Sequence, residues 1–141
     1  MSKKKNKSPP KWANTGKNEK FVALYIGMLI SDAYMSLTHR QQRLYTYMRL
    51  QYKGEQNVFE FNWHKANTQY KLYTKRADFY NDIATLINRG FIVCTECGEA
   101  TRTASKYAFS DNWKMYPNIT LTAKDKTASM LRKEKKAITK Q

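Results

Sequence analysis

Thr74, Lys75, Arg76, Asp78 and Asn81 crowd into one short stretch and share a chemistry. Their hydroxyl, ammonium, guanidinium, carboxylate and amide groups are the kinds that bond phosphate oxygens and base edges. Arg76 has the fork that bonds guanine at two points. Asn81 has the paired acceptor and donor that match adenine, and Asp78 either accepts from cytosine or serves the positive end of a helix dipole. Lys65, Lys71 and Tyr73 lie just upstream, and Arg102, Thr103 and Lys106 lie downstream. Both groups are expected to reach the sugar-phosphate backbone, with Tyr70 and Tyr73 presented by the turn that precedes the stretch.

Other chemistries find less support. Cys94 and Cys97 have the spacing of a metal or redox pair, but a structural zinc takes four Cys or His ligands, and these are the only two cysteines. His39 and His64 lie in other elements, so the thiols are expected to be a chance pair in a hairpin, with no metal and no cofactor. Acids are sparse, neither histidine has a partner at a meaningful spacing, and no Gly-rich phosphate loop is present, which points away from an enzyme. The ten Tyr, six Phe and three Trp could stack on single-stranded bases, but most fall on apolar faces. Core packing accounts for them.

The polar stretch belongs to a helix expected over 74–89, because Phe79, Ile83, Leu86 and Ile87 repeat at helical intervals. Thr74 is the expected N-cap, and Gly90 supplies the left-handed residue that stops the helix. Upstream, Thr38 and Gln41 have capping-box spacing ahead of Leu44, Tyr45, Met48 and Tyr52, predicting a helix to about Gln51. Phe21 to Ile26 reads as an extended segment or short strand, with a helical turn at Asp32-Ala33-Tyr34 capped by Ser31. Val58 to Phe61 alternates as a strand does, and Asn62 caps a short helix from Trp63 to about Gln69. Beyond Gly90, Phe91 to Cys94 and Lys106 to Phe109 predict a hairpin with a polar tip. Glu96 and Glu99 oppose DNA there, so the C-terminal side of the wing 94–106 is the side expected to approach the backbone.

Charge is distributed unevenly. The net +15 divides into +6 on residues 1–20, +5 on 118–141 and only +4 between them, an arrangement that suits a polyanion, nucleic acid before membrane. Three parts follow: a flexible Lys-rich arm at 1–20 with Trp12 as its one unexpected residue, a folded domain at 21–117, and a basic, mostly disordered tail at 118–141. Ala128 to Ala137 offers at most a weak helix, with Met130, Leu131 and Ile138 its few apolar groups. The apolar run Phe21 to Ile30 is too short to span a bilayer, no signal peptide is evident, and the cysteine usage fits the cytoplasm.

The order helix, strand, short helix, longer helix, hairpin is that of an α+β winged helix-turn-helix with three main helices and a small antiparallel sheet. The residues take the likeness further: Asp32-Ala33-Tyr34 with Leu37, Gln42 to Arg49, Phe59 and Phe61, Arg76 with Phe79-Tyr80, Leu86 to Ile92, and Ser105-Lys106-Tyr107 ahead of Trp113. Over Met28 to Tyr116 the chain resembles the small winged-helix, replication-initiator-like DNA-binding proteins of Gram-positive plasmids and integrative or conjugative elements. At Ala77 and Asp78 those proteins more usually carry small hydroxyl residues. The resemblance implies double-stranded DNA as partner, in transcription control or in replication- or transfer-origin assembly on a mobile element, alongside replication or conjugation proteins. The helix at 38–52 or the segment at 21–30 would supply the face of a homodimer, which implies an inverted repeat in the target. The alternative is a non-catalytic interaction module that binds an acidic protein partner or RNA, in which 74–89 is simply a surface helix.

Overall fold

Thr38 and Gln41 form the box their spacing predicts. The Gln41 amide donates to Thr38 Oγ1 at 3.2 Å and the Thr38 amide to Gln41 Oε1 at 2.9 Å, which satisfies two donors that a helix start leaves over. The computed structural model describes residues 20–54, 56–97 and 105–139. In it α1 (Ile26–Leu29) and α2 (Asp32–Met35) are single turns, and α3 (His39–Arg49) is the helix this box begins. Ser31 caps α2 by accepting from the Tyr34 amide, as its position predicts. Residues 20–25 form no strand; Arg49 donates to the Ala23 carbonyl and ties this segment to α3.

Next come β1 (Val58–Glu60), a π-helical turn (Lys65–Gln69) and α4 (Arg76–Asn88). Thr74 is not the N-cap of α4. Lys75 occupies that place with an extended backbone and no side-chain cap. The cause lies upstream, where the Leu72 and Tyr73 amides both donate to the Ala66 carbonyl and the Asn67 side chain donates to the Tyr73 carbonyl. These bonds hold the chain against the π-helical turn and delay the start of the helix.

At its other end α4 stops where the sequence says. Gly90 has φ 86°, its amide donates to the Ile87 carbonyl, and the Phe91 amide reaches the Leu86 carbonyl, which is a Schellman motif. Gly90 is also where Trp113 passes close by. A Cβ there would collide with the Trp113 nitrogen and lie 2.5 Å from the Asn112 carbonyl carbon.

The strands β2 (Ile92–Glu96) and β3 (Lys106–Phe109) pair antiparallel, and β1 joins the outer side of β3, giving the order β1-β3-β2. Phe59 and Cys94 both lie opposite Tyr107, with an irregularity between Cys94 and Glu96. Asn57 prolongs the β1 edge by exchanging two side-chain hydrogen bonds with the Phe109 backbone. One core serves helices and sheet: Leu44, Met48, Phe61, Phe79, Ile83, Leu86, Phe91 and Ile92 are buried together. Each such side chain contributes about 1.5–3 kcal/mol by leaving water.

The segment 118–141, expected to be a mostly disordered tail, is ordered in its described part. A 3-10 turn (Ala123–Asp125) packs by β2, and α5 (Ala128–Thr139) follows. Thr127 is buried and accepts from the Met130 amide, and Met130 enters the core. No helix among the described residues is long and apolar enough to cross a membrane.

Candidate nucleic-acid interface

α4 shows one face to the core through Phe79, Ile83, Leu86 and Ile87, and that face includes an acid, Asp82, only 2% exposed. An isolated buried carboxylate is costly, so its partners decide whether it is tolerated. Arg40 at the start of α3 donates through Nε at 2.6 Å and Nη2 at 3.2 Å, Gln41 Nε2 donates at 3.1 Å, and the Tyr73 hydroxyl at 2.6 Å. Burial alone would raise the Asp82 carboxyl, but the bonds from Arg40, Tyr73 and Gln41 outweigh it and hold it below its ordinary value. Burial, reinforced by Asp82, pushes the Tyr73 hydroxyl the other way, to well above its ordinary value. The network links α3, the turn before α4 and α4 itself, and so fixes the angle at which α4 is presented.

The expected contact residues divide around this anchor. Thr74, Lys75 and Arg76 are exposed at the N-terminal end of α4, and the Arg76 guanidinium lies 5.7 Å from the centre of the Trp63 ring. Lys71 is exposed in a left-handed conformation, φ 54°. Asp78 is half-buried and sits 3.5 Å from Arg40, so its charge is directed toward α3. Asn81 is exposed but accepts a hydrogen bond from Lys133 of α5 at 2.8 Å. Lys65 donates to Gln51 Oε1 and to the Glu60 carbonyl, which directs it to the end of α3 and β1.

Tyr73, expected to be presented to the sugar-phosphate backbone, is buried. Its ring is buried against Phe79, and its hydroxyl is committed to Asp82 because that carboxylate needs a third donor. Tyr70 is half-buried, stacks on Phe61 and accepts from Gln51. Lys106 reaches Glu96 across the hairpin at 3.4 Å, in a pair open to solvent. Arg102 and Thr103 lie outside the described residues, as does the arm with Trp12.

Arg40, Gln41, Asp82 and Lys133 were not among the expected residues. Asp82 carried a signal, an acid set among apolar residues at helical spacing, which demands a buried partner. Lys133 carried none, since its neighbour in space is 52 positions away. Cys94 is buried and Cys97 half-buried, and no disulfide joins the two. Among the described residues no group of three His, Cys, Asp or Glu side chains gathers as a metal site would require. No family model, no curated protein and no solved structure matches the chain.

Proposed function

We propose that the protein binds double-stranded DNA as a winged helix-turn-helix, with α4 in the major groove and the β2–β3 hairpin as the wing on the backbone. The rigid mounting of α4 carries this reading. A helix whose inner face is bolted to α3 through buried Asp82 leaves Thr74, Lys75 and Arg76 exposed at one end, ahead of an antiparallel hairpin. Such a unit can insert without rearranging, so little binding energy is lost in ordering it. The Lys-rich segment 1–20 adds phosphate attraction that does not depend on sequence. The biological setting follows from the resemblance: transcription control, or assembly at a replication or transfer origin, on a mobile element.

Arg76 tests the reading directly. Replacing Arg76 with Ala is expected to weaken binding to a preferred duplex by about 1–3 kcal/mol and to relax one base position. Fluorescence anisotropy on preferred and scrambled duplexes measures this, and unchanged affinity for both removes Arg76 from recognition. A second reading, an interaction module for an acidic protein or RNA, is favoured by the exposed apolar side chains of Phe21, Tyr25, Ile26 and Ile30. It requires that no duplex is retained at moderate salt.

A further inference from the structure

The bond between α5 and α4 changes what Asn81 can recognise. A lysine ammonium has three N–H donors and no acceptor, so at 2.8 Å it must meet the amide oxygen of Asn81, which fixes the orientation of that amide. The bond uses one of the two lone pairs of Oδ1 and sets a positive charge beside the other, so a further donor approaching Oδ1 meets the ammonium, while the two N–H donors of Nδ2 stay open. Lys133 keeps two further donors beside them. The pair is therefore a cluster of donors, while adenine in the major groove offers an acceptor at N7 and a donor at N6. Guanine offers two acceptors, N7 and O6, and those suit the pair.

The placement of Lys133 is not that of a loose surface lysine. Met130, one turn earlier on the same side of α5, is 7% exposed in the core, and Thr127 holds the start of the helix through the Met130 amide. Lys126 also donates to Glu134 at 2.8 Å, which ties the segment before α5 to the middle of the helix and takes up the acid next to Lys133.

We infer that Lys133 is a specificity-determining residue: through its bond to Asn81 Oδ1 it makes the Asn81–Lys133 pair select a G·C base pair where Asn81 alone would select A·T. The inference rests on the duplex-binding reading. It also gives α5 a part in recognition, where charge alone would have made it only a source of general attraction.

The test is selection of bound duplexes from a random-sequence pool with the full chain, comparing the unaltered protein, Lys133→Met and Asn81→Ala. Lys133 is exposed, so its replacement should leave the fold intact, which circular dichroism and thermal unfolding verify. The unaltered protein should prefer guanine at one position, Lys133→Met should shift that position to adenine by about tenfold, and Asn81→Ala should lose the preference there. Retention of the same base by Lys133→Met, or adenine at the Asn81-dependent position in the unaltered protein, overturns the assignment while leaving duplex binding standing. Failure to enrich any duplex overturns the duplex reading and this inference with it.

Discussion

Asp82 and its three donors set the pH range over which the α3–α4 arrangement holds. Its folded-state carboxyl lies below the ordinary 3.8, so the stabilisation is complete above that value and is lost as pH falls through the depressed one. Tyr73 works in the opposite direction. Its raised hydroxyl contributes fully below its ordinary 10.0, and that contribution is lost as pH rises through the folded value. Asp82→Asn keeps the shape and turns an amide group against Arg40 or Tyr73. We expect a loss of about 2 kcal/mol at neutral pH, shrinking at acid pH as the carboxyl of the unaltered protein protonates. Urea unfolding at neutral and at acid pH gives the comparison, and a difference that stays constant with pH would show that the charge is not what the network uses.

Among the elements, α5 enters the core through Met130 and reaches α4 through Lys133. A twelve-residue helix is marginal in water by itself, so burial of Met130 is what keeps this one formed. Met130→Ala should cost about 2 kcal/mol of docking and expose Arg132, Lys133, Lys135 and Lys136 to trypsin before the rest of the domain is cut. Cleavage at the same rate as in the unaltered protein would place the anchor elsewhere. The same contrast explains what the sequence revealed. The Thr38–Gln41 box, the Ser31 cap and the Gly90 stop are bonds between near neighbours, and they stand where the residue types put them. Thr74 failed as a cap because Ala66 and Asn67 hold the residues before α4, and Tyr73 turned inward where Asp82 takes its hydroxyl as a donor beside Arg40 and Gln41. The docking of α5 was illegible because one buried methionine amid charges leaves no periodic stripe to recognise.

Across the whole molecule, positive charge is concentrated away from α4. Residues 1–19 hold six lysines, whereas in α4 Arg76 is opposed by Asp78 and Asp82. If those lysines contact phosphates, deleting residues 1–19 should lower the slope of log affinity against log salt by as much as about 5, at roughly 0.9 per phosphate. The preferred sequence should stay the same. Titrations between about 50 and 200 mM salt provide the slopes, and equal slopes would show that the arm is not engaged.

The strand order bears on how the chain assembles as it is made. Because β3 is the central strand, Glu60 has no pairing partner until Lys106 has been added, 46 residues later. At a synthesis rate of 5–20 residues per second that is a wait of roughly 2–9 s. During it α3 and α4 can already pack on one another, while Phe59 still lacks its ring partners Tyr107 and Phe109. A chain that packs its helices first therefore carries one bare phenylalanine, Phe59, until completion of the hairpin covers it.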